Sequence, residues 1–563
     1  MAVRIGVGGE FFDRLRENKC YYVDKTELLY ELVHETDNAV TLFTRPRRFG
    51  KTLTMSMMEC FFDITKDSRD IFAGLDIMKH EEFCAEWMNQ YPVLSVSFKD
   101  VEGLTYSKAY NKLKMTLADV CKKYIVLMDH SETDIDDRNT FARLKSQTAS
   151  NAELQGSLKA IMRMMKAVYG KPVILLIDEY DVPLAKANAE KEGGERYYPQ
   201  MMEVMRGILS TALKSNDYLK FGVVTGCLRI AKESIFTGVN NFKSYSVLDD
   251  RFSQYFGFTQ EELDRLLYQA NLEEKATTFR EWYDGYVFGW NSLYCPWDVL
   301  NYVSDLSYRK TAKPKNYWKN TSSNAIIRNF IERTEFPVKK KFETLMNGGN
   351  IVQTISDELT YDTFHETEDN LWSVLLMTGY LTKADPEEEG GDITSLRIPN
   401  REIASIFQDT VVKYFSDHVN ADVQKAMMEA LWAGDEKAAS DAISHLLWQT
   451  ISYMDYHEDY YNAFLAGIFV GRGYEVESNK ERGLGRPDIK LTDDVNRRIL
   501  IIEAKKSNSK GQMGHACKEA LQQIVDMEYA KNLDAYTVIC YGIAFFQKSA
   551  LVLHFVSNCY YNF

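Results

Sequence analysis

The chain has 563 residues, 45% hydrophobic and 26% charged, the composition of a globular protein long enough for about three or four domains. Its net charge of −14 argues against a general nucleic-acid-coating protein, which would be basic overall, and leaves room for a local basic groove. No apolar run approaches the roughly 18 residues that a membrane-spanning helix needs, so no membrane association is expected.

The nine cysteines form no Cys-x-x-Cys pair, and only His515 and Cys517 lie close together. Scattered core thiols in a reducing cytosol are expected, not zinc or disulfides. Met1-Ala2-Val3-Arg4 runs into mixed polar sequence without the pattern of a signal peptide, which predicts a cytoplasmic protein.

Residues 1–38 read as a lead-in element, with Thr26 placed to cap a helix from Glu27 to His34. Asp24 and Lys25 are either part of its packing or nucleotide contacts. Ala39 to Phe43 is an apolar run of a buried strand, and Leu53 to Phe62 carries Met55, Met58, Phe61 and Phe62 at helical spacing. Between them lies Arg45-Pro46-Arg47-Arg48-Phe49-Gly50-Lys51-Thr52. Strand, loop, Gly-Lys-Thr and helix make a P-loop. Its backbone N–H groups cradle phosphates, Lys51 reaches the β/γ-phosphates and Thr52 ligates Mg²⁺. The loop lacks the usual opening Gly, for Arg45 stands there. The bland alternative is a basic turn before a core helix.

Pro92 to Phe98 is a second strand, followed by a charged helical region over about 105–168. Val173 to Ile177 then runs into Asp178-Glu179-Tyr180-Asp181. A continuous apolar run suits a parallel strand buried on both faces, and its acidic end reads as a Walker B motif. Asp178 would hold Mg²⁺ and Glu179 would orient or deprotonate a water. Lying about 125 residues beyond the P-loop, it makes a joint case for an ATP-binding, ATP-hydrolysing domain. Phe221 to Gly226 is a further strand, with Thr225 as a polar sensor near the γ-phosphate; Arg229 is a nearby cationic candidate. Residues 255–300 are rich in aromatics that suit packing in a small helical or winged lid better than base stacking. Residues 300–450 read as mostly helical.

The C-terminal region changes character. Glu458, Tyr461, Leu465 and Ile468 share one helical face. Strands follow at Tyr474–Ser478, from Arg486 to Leu491, and at Arg498–Ile502, the last running into Glu503-Ala504-Lys505-Lys506. Pro487-Asp488 stands fifteen residues before Glu503, in the order of a PD-(D/E)xK nuclease. Asp488, Glu503 and the Ala504 carbonyl can converge on one Mg²⁺, and Lys505 shares the face of Glu503 because strand residues two apart point the same way. Lys505 would position the attacking water. Glu458 would complete the acid cluster and Gln523, on a downstream helix, would brace it. Lys480, Arg482, Arg486, Lys506 and Lys510 supply local positive charge. A salt-bridged surface hairpin is the bland alternative.

These motifs, with Tyr22-Val23-Asp24-Lys25-Thr26 and Trp282-Tyr283-Asp284-Gly285-Tyr286, make the chain resemble the bacterial AAA-ATPase-like family with a C-terminal PD-(D/E)xK nuclease domain. The resemblance covers nearly the whole chain. In that family the Arg-Pro-Arg-Arg form of the loop is usual, and the family is similar to STAND-type ATPases, whose nucleotide state acts as a switch. The resemblance implies an α/β protein with a parallel-sheet P-loop ATPase at 1–254, a helical or winged-helix connecting region at 255–420 and a restriction-endonuclease-like nuclease at 421–563. It implies ATP and Mg²⁺ as cofactors and nucleic acid, DNA ahead of RNA, as partner, with phage defence or mobile elements as setting. A homo-oligomer would let Arg47, Arg48, Arg229 or Arg251 act in a neighbouring subunit. The competing reading is a nucleotide-switched binding or assembly module with a non-cleaving nuclease fold; a DNA-translocating motor ranks lowest.

Overall fold

The computed structural model describes residues 3–34, 39–189, 196–230, 236, 242–318, 338–346, 348–357, 359, 367–385, 393–418, 421–450, 461, 464, 465, 468, 469, 475–478, 485, 487–531 and 533–557. They form two compact units, residues 1–322 with 352–402, and residues 323–351 with 403–563. The middle region expected at 255–420 is thus divided between the two.

The first unit is built on a parallel sheet of β1 (Val40–Thr44), β2 (Val93–Ser97), β3 (Val173–Asp178), β4 (Leu219–Gly226) and β5 (Phe242–Tyr245). Its order is β2-β3-β4-β1-β5, with every neighbouring pair parallel. Every residue of β1 and β3 is buried, which is why both runs are continuously apolar rather than alternating. Helices Lys51–Phe62, Tyr106–Lys123, Ser157–Tyr169 and Tyr198–Leu213 belong to the same unit. Leu175 and Ile177 are wholly buried in its core, each worth about 1.5–3 kcal/mol of transfer free energy. Because β4 lies between β1 and β3, three carboxyl-terminal strand ends meet at one place, the usual position of a ligand crevice in an open parallel sheet.

Two features were not legible. Strand β5 is short and half polar. The nominally helical stretch beyond residue 300 contributes a three-stranded sheet of β8 (Ile351–Thr354), β9 (Thr382–Lys383) and β10 (Ile393–Arg397). Before it comes a hairpin of β6 (Tyr286–Phe288) and β7 (Asn291–Leu293). Its β6 residues are buried, so the aromatic region packs.

The second unit holds a mixed sheet ordered β11 (Glu475–Ser478), β12 (Ile489–Asp493), β13 (Arg498–Lys506), β14 (Thr537–Phe546) and β15 (Ser549–Val556). β11, β12 and β13 are antiparallel neighbours, β13 and β14 are parallel, and β15 returns antiparallel. Helix Met513–Asp526 connects the parallel pair. β13 and β14 outrun the apolar segments expected for them because they support one another over nine paired positions. Tyr461, Phe464, Leu465 and Ile468 are buried, and Tyr461 stacks on Phe545 at 4.1 Å.

The outer strand β15 would leave backbone donors unpaired, a liability of sheet edges. Helix Glu436–Thr450 answers it with three side chains four residues apart. Ala550 N–H donates to Ser444 Oγ at 2.9 Å, Val552 N–H to Ser440 Oγ at 3.0 Å and His554 N–H to Glu436 Oε1 at 2.9 Å. Four helical residues rise about 6 Å and two strand residues about 6.7 Å, so the two repeats stay in step. The double variant Ser440→Ala, Ser444→Ala orphans two of these donors. Its expected cost is about 2–4 kcal/mol, read from denaturant unfolding of the second unit.

Candidate active sites

The first site lies at the carboxyl end of the parallel sheet. Gly50, at φ 85°, precedes helix Lys51–Phe62, and the helix N-terminus opens on a cavity of about 510 Å³. Lys51 is buried. Its ammonium donates to the carbonyls of Arg45 and Pro46, both at 3.0 Å, and stands 3.8 Å from Cys227 Sγ. Thr52 Oγ1 donates to Asp178 Oδ2 at 2.8 Å, and Thr225 Oγ1 donates to Asp178 Oδ1 at 2.6 Å. Asp178 therefore ties β3 to the loop helix on one side and to β4 on the other. A hydroxyl and a carboxylate this close are a donor pair that suits a hard divalent cation. Glu179 lines the cavity at φ 53°. Burial pushes its carboxyl up, Lys51 opposes the rise, and Asp178 and Asp181 add to it.

The basic loop divides into two roles. Arg47 and Arg48 line the cavity, and Arg48 lies over the Trp297 ring at 4.1 Å. Arg45, Pro46 and Phe49, expected among the nucleotide contacts, do not line it. Arg45 is wholly buried, and its Nη1 donates to the carbonyls of Thr44 and Tyr245, each at 2.8 Å. Its guanidinium lies over Phe256 and Phe288, and burial pushes it down to about 10 while Asp249 opposes the fall. Pro46 sits against Gly379. Phe49 is clamped by Tyr286 and Phe288, each 4.9 Å between ring centres. Arg45, Pro46 and Phe49 are thus anchors of the loop. Arg229 is likewise held outside the lining, by an ion pair with Asp357 at 2.7 Å. Asp24 accepts N–H bonds from Thr26 and Asp76 and Lys25 pairs with Glu262 at 2.7 Å, so both serve packing.

Sequence reasoning missed the far wall of the cavity, formed by Gly6, Gly8, Gly9, Pro296, Trp297 and Leu300. The run Gly6-Val7-Gly8-Gly9 was a visible signal for close backbone approach. Nothing local marks Trp297, which only the fold brings beside Gly8.

The second site is on β12 and β13. Ile489 pairs with Ile502, which sets Asp488 opposite Glu503. Asp488 N–H donates to Glu503 Oε2 at 3.3 Å, and Ala504 N–H donates to Asp488 Oδ2 at 2.9 Å. Gln523, from helix Met513–Asp526, donates its amide to Glu503 Oε1. Lys505 Nζ lies 3.9 Å from the same oxygen. Glu503 is buried, while the Lys505 side chain is about a quarter exposed, at 26%. The structure therefore gathers Asp488, Glu503, Ala504, Lys505 and Gln523. Glu458, Arg486, Lys480 and Arg482 lie outside the described residues. A further buried pair, Lys490 with Glu477 at 3.8 Å, stands one strand repeat from Asp488 on the same face. Polar residues alternating with apolar ones in Asp488-Ile489-Lys490-Leu491 were its only trace.

Residues 5–236 match the family model described as a predicted AAA-ATPase, and residues 456–555 match that of the PD-(D/E)XK nuclease superfamily. The chain carries an AAA-ATPase-like domain followed by a PD-(D/E)XK nuclease-like domain. It is also similar to an uncharacterized protein in the vnfD 5' region of Azotobacter chroococcum mcd 1, 23% identical over 568 residues that cover 98% of each chain. Among the described residues no helix is long and apolar enough to cross a membrane.

A buried carboxyl pair underlies the cavity wall. Asp298 and Glu402 are both wholly buried. Glu402 Oε1 accepts the Trp318 N–H at 2.8 Å. The neighbouring Cys295 thiol reaches the Arg48 carbonyl at 3.7 Å. Burial, then the proximity of Asp298, pushes Glu402 well above the usual carboxylate range, and burial pushes Asp298 up as well. Both folded values lie above the unfolded ones, so the pair's contribution is complete below about pH 4 and declines as pH rises through the folded range. Glu402→Gln keeps the shape without the charge. Its expected effect is a flatter dependence of thermal stability on pH between 5 and 9, with the gain over the unsubstituted protein largest at pH 9.

Proposed function

We propose that the AAA-ATPase-like domain binds and hydrolyses ATP with Mg²⁺, and that its nucleotide state controls metal-dependent phosphodiester cleavage of nucleic acid, DNA ahead of RNA, by the nuclease-like domain. The setting on this reading is phage defence or the biology of mobile elements. The convergence of Asp488, Glu503, Lys505 and Gln523 at one sheet face carries it. A divalent cation bound by Asp488, Glu503 and the Ala504 carbonyl would polarise the scissile phosphate and lower the pKa of a bound water. Gln523 orients the Glu503 carboxylate. Lys505, its ammonium beside that carboxylate, is available to hold the attacking water or meet developing negative charge.

In the Walker-type site the same reasoning gives Lys51 to the β/γ-phosphates and Thr52 with Asp178 to Mg²⁺. Glu179 would serve as the base or water-orienting group, its raised affinity for a proton suiting that task. Thr225 would sense the γ-phosphate from its bond to Asp178. The apolar wall at Pro296, Trp297 and Leu300 suits the nucleobase. Arg45 and Phe49 stiffen the loop from behind, which favours a slow switch over rapid turnover.

Cleavage of plasmid DNA and of RNA is measured with ATP and Mg²⁺. Asp488→Ala and Glu503→Ala are expected to lower cleavage at least about 100-fold while leaving ATP affinity within about twofold. Retained cleavage in either variant refutes the nuclease assignment. ATP turnover is expected at or below about 1 s⁻¹, the low end of enzyme rates. Lys51→Ala should abolish it, and turnover well above that rate would remove the argument for a switch.

A further inference from the structure

Beyond Asp178 and Glu179, the acidic motif contains a second aspartate with no part in the mechanism above. Asp181 is buried, at 1% exposure. Its Oδ2 accepts two backbone donors from the residues that directly follow β4: Cys227 N–H at 2.9 Å and Leu228 N–H at 3.0 Å. Tyr180 reinforces the same joint. Its hydroxyl donates to the Leu228 carbonyl at 2.8 Å and accepts the Ile230 N–H at 2.9 Å, and its own N–H donates to the Thr225 carbonyl at 3.0 Å. The contact is tight, since a Cβ on Gly226 would lie 2.6 Å from the Tyr180 ring and 2.8 Å from Asp181 Oδ1.

The strand end so gripped reaches three parts of the nucleotide site. Thr225 bonds Asp178. The Gly226 carbonyl accepts the Arg45 N–H at 3.1 Å, at the entry to the basic loop. Cys227 lies beside the Lys51 ammonium. On the other side of Asp181, one residue beyond Tyr180, Glu179 is held at φ 53°, a conformation that a non-glycine residue keeps only when its surroundings enforce it.

We propose that Asp181 is a positioning residue for ATP hydrolysis: by accepting the Cys227 and Leu228 N–H groups it locks the turn carrying Glu179 to the end of β4 carrying Thr225. This rests on the ATPase reading above. Asp181 acts through its oxygen's place, not through charge at the reacting phosphate. Displacements near 1 Å at a catalytic group can cost about 100-fold in rate, while nucleotide binding, carried by the loop and its helix, is spared.

The experiment compares Asp181→Asn, Asp181→Glu and Asp181→Ala in steady-state ATP hydrolysis by the full chain, with thermal melting of each. Asn can keep an oxygen acceptor in place, and its kcat is expected within about threefold of the unsubstituted protein. Glu keeps the charge but shifts the oxygen by a methylene, and Ala removes it; both should lose about 10–100-fold in kcat with KM changed less than about threefold. Should Ala fail to fold, the Asn and Glu variants decide. Wild-type-like kcat in Glu, a loss in Asn as large as in Glu, or a rise in KM alone overturns the proposal. Absence of turnover in the unsubstituted protein overturns the ATPase reading together with it, whereas turnover abolished by Glu179→Gln but unchanged by Asp181→Glu overturns the Asp181 role alone.

Discussion

Asp178 receives hydroxyl bonds from both sides, Thr52 at 2.8 Å and Thr225 at 2.6 Å. The first unit depends on this junction. It joins the loop helix, the third strand and the fourth strand at a point where the two strands end and the helix begins, and it is possible only because β4 is inserted between β1 and β3. A buried carboxylate is costly unless its oxygens are satisfied. Here satisfying them also defines the geometry of the cleft.

The basic loop shows how a backbone motif can be kept with different supports. A Gly-rich loop follows its path because glycine permits it. This loop follows its path because Arg45 is tied to two carbonyls and Phe49 is held between two aromatic rings. Of its three arginines, the two that line the cavity can address a ligand and the third holds the strand end. Identical side chains a few residues apart thus do different work, because Arg45 turns back under the sheet to the Thr44 and Tyr245 carbonyls while Arg47 and Arg48 stand in the turn that faces the cavity.

In the nuclease-like domain the parallel pairing of β13 and β14 requires a crossover, and the helix that makes it brings Gln523 to Glu503. Fold and site share that element. The cationic Lys505 and the amide of Gln523 meet on one buried carboxylate oxygen, which holds Glu503 facing Asp488. The opposite end of the sheet is closed by side-chain acceptors from one helix, so its edge is not left to pair with another chain.

Much of this was legible before any coordinates. Gly50-Lys51-Thr52, Asp178-Glu179 and the spacing of Asp488 from Glu503 depend on local chemistry: a helix start with phosphate-sized backbone donors, an acidic end to a buried strand, and two acids on adjacent strands. Such features are written in consecutive residues, so the α/β fold class and the presence of an AAA-ATPase-like and a PD-(D/E)XK nuclease-like domain could be read directly. The small β8–β10 sheet was not legible, because its strands are short and one has only two residues. The division of Arg45 from Arg47 and Arg48, the diversion of Arg229 to Asp357, the wall at Trp297, the buried partnership of Asp298 with Glu402 and the grip of Asp181 on Cys227 and Leu228 were decided only by the tertiary structure. Each depends on which distant segment arrives beside a side chain, and burial and hydrogen bonding are properties of that neighbour, which no local pattern encodes.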